Sequence, residues 1–327
     1  MNPEILAISA NRNVQRHINR SLASVGLGVE HCPPRWSEIE AGLGRSPRMC
    51  IIDLDGAPQE ILRLLETLNR DHAEIIPLLI SQTPQSPILK DQLINFSLNN
   101  VIAKHGGFRT GEIIDENELI VTCQKLMQHD IFGVEKYLPT WNVKIHEHEV
   151  GCTDDKLVVI DELDEYLDLI DSHRGIKEAV LLVADELLMN AIFNAPRDAQ
   201  GRPKYDQRDR CRPLSLEPAE RARFKYACDG RYIALSVTDR FGSLDRDVIL
   251  GYLRSSLEGG QAEIQDRTSG AGLGLHMVFS SITQLTFNIQ KGVSTEVIAL
   301  FYARSGTLAF KTSGRSLNIF YLNGAPV

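Results

Sequence analysis

The 327-residue chain contains no run of about 18 apolar residues, so no stretch of it predicts a membrane-spanning helix. Its six cysteines, Cys32, Cys50, Cys123, Cys152, Cys211 and Cys228, include no Cys-x-x-Cys pair. That excludes a zinc ribbon or a thioredoxin-type site and predicts buried or half-buried thiols in a reducing compartment. Basic residues are not in excess: 35 Lys and Arg stand against 43 Asp and Glu, a net charge of −8. With no basic stripe, the balance argues against a nucleic-acid partner or an anionic membrane surface. The opening MNPEILAISANRN has no charged-then-apolar leader, so the expectation is a cytoplasmic protein. What is present is ordinary for a folded chain: 43% hydrophobic and 24% charged residues, which excludes a disordered or low-complexity protein. At about 150 residues per domain the length suggests two domains.

The first of these, residues 1–130, reads as alternating strands and helices. Ile5–Ile8, Met49–Asp53, Ile75–Ile80 and Val101–Ala103 are short apolar runs of the buried-strand kind, and a further short strand is expected near Val29. Between them lie helical patterns over Asn13–Val25, Gln59–Leu68 and Glu116–Gln128, with Ile61, Leu62, Leu64, Leu65 and Leu68 forming one apolar face. Strand–helix alternation predicts a parallel five-stranded sheet covered on both faces. Ligands bind such sheets at the carboxyl ends of the strands, where this sequence has Ser9, Asp53, Ser81 and Lys104.

That set resembles the phosphoacceptor receiver domain of two-component signalling. Asp53 ends the third strand, where the receiver's phosphorylated aspartate stands. Ser81 matches the switch residue after the fourth strand, and Lys104 the lysine after the fifth. Two positions depart from the pattern. Ser9 and Ala10 replace the acidic pair that holds Mg²⁺, and His105 replaces the usual proline. Phosphoryl transfer to a carboxylate needs a cation against the converging charge, and Asp53 with Asp55 alone is a poor hard-cation site. The reading is therefore a pseudo-receiver not phosphorylated by the usual route. A working receiver, or an unrelated flavodoxin-like domain in which Asp53 only caps a turn, remain as alternatives.

After a linker near His129–Val134, Tyr137–Val150 has the alternation of an extended strand, through Trp141, Val143 and Ile145. Helical spacing follows over Asp155–Ile170 and over Ile176 to about Ala195. On the second helix Glu186, Asn190 and Asn194 recur at i, i+4, i+8, a polar stripe on an otherwise apolar helix. Such a stripe faces solvent or lines a ligand site. Phe224–Cys228, the turn Asp229-Gly230 and Arg231–Thr238 predict a hairpin that runs into Asp239-Arg240-Phe241-Gly242-Ser243. Further on come Gly270-Ala271-Gly272-Leu273-Gly274-Leu275 and strand-like runs over Leu285–Gln290 and Thr295–Tyr302. The glycine run has neither the spacing nor the early position of a Rossmann fingerprint, and no P-loop is present.

This order of elements, over about residues 137–303, resembles the GHKL (Bergerat-fold) ATP-binding domain. That domain is shared by histidine kinases, type II topoisomerases, mismatch-repair ATPases and anti-sigma-factor serine kinases. Glu186 and Asn190 match its first motif. Asp239 keeps the aspartate of its D-x-G-x-G motif, whose glycines are displaced, Gly242 being the nearby one. Gly270, Gly272, Gly274 and Leu275 match its G-x-G-x-G-L motif, and Thr295 its late-strand threonine. The implied fold is an α+β domain with helices on one face of a mixed sheet, over residues 135–327. An insertion at 196–223 and a C-terminal strand extension at 305–327 lie outside the minimal plan.

The resemblance implies ATP and Mg²⁺ as cofactors. Asn190 would offer its amide oxygen to Mg²⁺, with Asn194 beside it, and Glu186 would act as general base. Asp239 would accept from the adenine amino group, and the glycines would let backbone N–H groups approach the phosphates. Phe241 stands where a glycine makes room beside the base, and residues 245–269, with Arg267, would form the lid. Too few residues separate the domains for a histidine-bearing helical hairpin, so the plan is closest to the anti-sigma serine kinases. The implied function is a signalling protein that binds Mg·ATP and phosphorylates, or conformationally regulates, a partner protein. A non-catalytic regulator, or a histidine-kinase-like component lacking its own phosphoacceptor, are the alternatives. A homodimer is left open.

Overall fold

A computed structural model describes residues 4–56, 58–82, 96, 98–104, 114–250, 281–303 and 314–322. The chain divides into two compact units, residues 1–130 with 313–318, and residues 131–312 with 319–327.

In the first unit β1 (Ile5–Ile8), β2 (Val29–Cys32), β3 (Met49–Asp53), β4 (Ile76–Ser81) and β5 (Asn100–Ala103) pair in parallel, in the order β2-β1-β3-β4-β5. The helices are α1 (Arg12–Ala23), α2 (Trp36–Leu43), α3 (Pro58–Asp71) and α4 (Glu116–Gln128). Strand side chains alternate between the faces, and each face has its own core. Leu6, Ile8, Cys50 and Ile52 pack with Ile39 of α2 and Ile61, Leu64 and Leu65 of α3. Ile5, Ala7, Met49 and Ile51 pack with Val14, Ile18 and Leu22 of α1 and Leu119 and Cys123 of α4. This doubly wound order is the receiver-like, flavodoxin-type fold expected from the sequence. α1 starts where Asn11 Oδ1 accepts from the N–H groups of Asn13 (2.9 Å) and Val14 (3.4 Å), satisfying donors that no helical carbonyl reaches.

One further strand belongs partly to this unit. β11 (Ser316–Leu322) lies antiparallel to β5, with Leu317 opposite Val101 and Asn318 opposite Asn100. Ser316 Oγ accepts from Ala103 N at 2.9 Å and donates to Glu118 Oε2 at 3.0 Å, while Asn318 Nδ2 approaches Glu118 Oε1 at 3.4 Å. Glu118 is buried, so desolvation drives its carboxyl well above the ordinary glutamate range, reinforced by Asp115.

In the second unit β6 (His146–Val150), β7 (Ala222–Cys228), β8 (Tyr232–Asp239), β9 (Gln284–Gln290) and β10 (Ser294–Tyr302) pair antiparallel in the order β9-β10-β8-β7-β6. α5 (Thr153–Leu169) packs on α6 (Arg174–Met189), and α6 lies against β8 and β10. The hairpin turn at Asp229-Gly230 forms as expected, with Gly230 at φ +85°.

Three expectations are corrected. Tyr137–Val150 is not one strand: Val134–Tyr137 is a 3₁₀ turn and the strand begins only at His146. Pro139 cannot donate to a ladder, Asn142 takes the left-handed φ of 61°, and Trp141 is 93% exposed. The helix over Ile176–Ala195 is α-helical only to Met189; Asn190–Asn194 form a π turn, with Ala195 N bonded to Asn190 O at 3.0 Å. Among the cysteines, Cys211 is exposed rather than buried or half-buried. Thr307–Phe310 of the C-terminal extension lies outside the described residues.

Glu118 gives the first unit a testable pH dependence. Above its ordinary value of 4.5 the unfolded chain releases the proton that the folded one retains, so this group's stabilisation is present at low pH and lost as pH rises. Glu118→Gln, which cannot ionise, should flatten the fall in urea midpoint between pH 5 and pH 8. An equal fall in both proteins would refute this.

Candidate functional site

At the carboxyl ends of the first unit's strands, Asp53, Ser81 and Lys104 come together as the sequence predicts. Asp53 is 3% and Lys104 7% exposed. Lys104 Nζ pairs with Asp53 Oδ1 and, at 2.8 Å, with Asp55 Oδ2. Ser9 Oγ donates to the other Asp53 oxygen at 2.6 Å and accepts from Asn11 N at 3.0 Å. The N–H of Asp55 adds a bond to Asp53 Oδ1 at 3.1 Å. Ser81 is buried at the end of β4, its carbonyl accepting from Lys104 N at 2.8 Å. Both Asp53 oxygens are thus held by protein donors, and the lysine cation bridges two carboxylates. Ser9 brings a hydroxyl where a second carboxylate would be needed for a hard cation.

The second unit assembles a different site. Antiparallel register sets Thr295 opposite Asp239, and Val297 opposite both Val237 and Phe287. These residues form one wall of a cavity of about 270 Å³, and Leu187, Asn190, Ala191 and Asn194 of the helical stretch form another. Asn190 and Asn194 of the polar stripe are half-buried and line this cavity, whereas Glu186 is not among its lining residues. Glu186 Oε1 accepts from Asn190 Nδ2 at 3.1 Å, and Asn190 Oδ1 accepts from Asn194 Nδ2 at 2.6 Å. A π turn at this point of the helix is a feature that recurs at functional sites.

Burial raises the Glu186 carboxyl above its ordinary range, and the nearby Arg210 charge partly offsets this. Burial likewise raises Asp239, opposed by the N–H groups of Phe241 (2.8 Å) and Gly242 (3.3 Å), which donate to its Oδ1. Thr295, which also lines the cavity, adds backbone and side-chain hydrogen bonds that likewise hold the Asp239 carboxyl down.

Gly242 is not among the residues that line the cavity. It sits at φ +56°, and a Cβ there would lie 2.0 Å from Gln290 O, so backbone packing alone accounts for this glycine. Gly270, Gly272, Gly274, Leu275 and Arg267 lie outside the described residues. Sequence reasoning missed Arg197, Asp206 and Asp245, which line the cavity, and Arg210, whose Nη2 reaches Asn194 Oδ1 at 3.3 Å. The sequence signal for Arg197, Asp206 and Arg210 was the charge of the 196–223 segment, while Asp245 opens the stretch 245–269 read as the lid.

No protein-family model matches the chain, and no curated protein does. Among solved structures, it is similar to a response regulator from Thermotoga maritima at 14% identity, covering 39% of this chain and 99% of that one, with a TM-score of 0.32. The chemotaxis response regulator CheY4 of Vibrio cholerae matches at 14% identity, over 38% of this chain and 99% of that one, with a TM-score of 0.32. A chain of the SiaB–SiaC complex from Pseudomonas aeruginosa matches at 11% identity, over 49% of this chain and 89% of that one, with a TM-score of 0.31. No helix among the described residues is long and apolar enough to cross a membrane.

The Asp53 site yields two expected outcomes. With acetyl phosphate and Mg²⁺, intact-mass measurement should detect no phosphoryl adduct at Asp53; stoichiometric modification would overturn the pseudo-receiver reading. Lys104→Ala should destabilise the fold by about 3 kcal/mol in urea unfolding, because it strands a buried carboxylate without its cation.

Proposed function

We propose that the protein is a signalling regulator whose second unit binds Mg·ATP, and whose receiver-like unit meets protein partners without being phosphorylated by the usual route. The observation that carries the nucleotide reading is the shared cavity. Asn190, Asn194, Asp239 and Thr295, expected together from the sequence, line one space although they come from a helix and two strands. At about 270 Å³ the cavity is near the lower end of ligand pockets, which start at roughly 300 Å³, a size suited to a nucleoside moiety. The apolar side chains Leu187, Val237, Val297 and Phe287 suit the faces of a purine, and Asp239 suits its amino group as an acceptor.

Mg²⁺, when bound, would neutralise the phosphates. Asn190 would hold it through the amide oxygen that now accepts from Asn194, so that pair must open. Glu186, one turn before Asn190 and with its carboxyl raised by burial, would serve as the general base toward an attacking group. On this reading the outcome is phosphorylation of a partner protein or a nucleotide-dependent change of conformation. A second reading, a regulator that binds nucleotide without turnover, is favoured by the closed chain Glu186–Asn190–Asn194, which satisfies both groups without a ligand.

Calorimetric titration with Mg·ATP tests the proposal. Asp239→Asn should weaken binding by about tenfold, the worth of one good hydrogen bond to a charged acceptor. Glu186→Ala should abolish hydrolysis or transfer with binding retained. No binding by the wild type at millimolar Mg·ATP would refute the nucleotide reading, and binding without turnover would favour the second.

A further inference from the structure

Before the 3₁₀ turn Pro218–Glu220 and the start of β7 at Ala222, the segment 196–223 has no helix or named strand, yet it is tightly built. Lys204 N bonds to Pro196 O at 3.0 Å, and Arg197 and Pro203 form a bridge. Lys204 pairs with Glu217 at 2.8 Å and Glu220 at 2.6 Å, and the buried Tyr205 donates to Glu220 Oε2 at 3.0 Å. Its far end is tied to the start of α5 by Thr153 N to Leu214 O at 3.0 Å and Leu216 N to Gly151 O at 2.7 Å.

This anchoring holds the segment against the end of the helical stretch. Arg197 lines the cavity and donates to Asn194 O at 3.0 Å, while Arg210 donates to Asn194 Oδ1. Among the described lining residues Arg197 is the one cation, facing the carboxylates of Asp206, Asp239 and Asp245. A polyphosphate would be repelled there unless further positive charge were at hand. Arg210, though not itself a lining residue, adds that charge beside Asn194, which lines the cavity. A guanidinium gives directed, charge-assisted hydrogen bonds to phosphate oxygens.

We propose that Arg197 and Arg210, held by the 196–223 segment, form the polyphosphate-binding end of this site, with Arg210 as the residue that selects a nucleoside triphosphate over a nucleoside. The proposal rests on the nucleotide reading above. On binding, Arg210 exchanges its Asn194 contact for a phosphate oxygen, and the freed Asn194 amide no longer needs to be held in the polar chain with Asn190.

The full chain, as wild type, Arg210→Ala, Arg210→Lys and Arg212→Ala, is titrated with adenosine and with ATP in the presence of Mg²⁺. Arg212, exposed and paired with Asp209 in its own turn, controls for the general field of the segment. The expected result is a wild type that binds ATP more tightly than adenosine. Arg210→Ala should lose about tenfold in ATP affinity with adenosine affinity unchanged, as expected for one charge-assisted contact. Arg210→Lys should recover part of the loss, and Arg212→Ala should match the wild type. An equal loss for adenosine and ATP in Arg210→Ala overturns the proposal by making Arg210 a structural support, and so does an equal ATP loss in Arg212→Ala. A wild type that binds adenosine but does not prefer ATP overturns the role of Arg210 and leaves the base-binding cavity standing. A wild type that binds neither overturns both.

Discussion

A carboxylate at the inner end of a buried strand has lost water and must be compensated by the protein. Each unit of this chain is arranged around one such group. Asp53 closes β3 after an apolar run, and Asp239 closes β8, whose buried stretch runs from Tyr232 to Val237. The surrounding elements are positioned to meet that demand. β5 brings Lys104 and the end of β1 brings Ser9 to Asp53, while the turn after β8 bends back so that Phe241 and Gly242 donate to Asp239.

The two solutions differ in what they leave available. At Asp53 a full positive charge and a hydroxyl occupy both oxygens, so the acid is matched within its own unit. At Asp239 the backbone N–H groups of Phe241 and Gly242 and both backbone and side chain of Thr295 answer in place of a cation, and burial still raises the group. The second acid lines the cavity that β8, β9, β10 and α6 enclose. That difference separates a structural charge pair from a group suited to a ligand.

The polar stripe on the helical stretch shows the same dependence on surroundings. Glu186, Asn190 and Asn194 satisfy one another in series, and the π turn at Asn190–Asn194 lets the chain leave the helix directly into the 196–223 segment. That segment returns its arginines to the helix end it has just left. Its conformation is held by Lys204, Tyr205, Glu217 and Glu220 rather than by secondary structure, so no hydrophobic period announces it.

Most of the first unit was legible in the sequence, because short apolar strands alternating with amphipathic helices admit few arrangements; Asp53, Ser81 and Lys104 fell at strand ends for the same reason. In the second unit the sequence determined the hairpin, the helix stripe and the candidates Asp239 and Thr295. The strand read through Trp141 failed because alternation alone does not register a proline or a left-handed asparagine. Only the tertiary structure decided that Asn190, Asn194, Asp239 and Thr295 share a cavity, that Gly242 serves backbone packing, that β11 returns to β5 over Glu118, and that Arg197 lines the cavity while Arg210 bonds to Asn194. These are contacts between residues far apart in the chain, set by strand register and by loop anchoring. A local pattern records which face a residue occupies, and the fold alone records what that face meets.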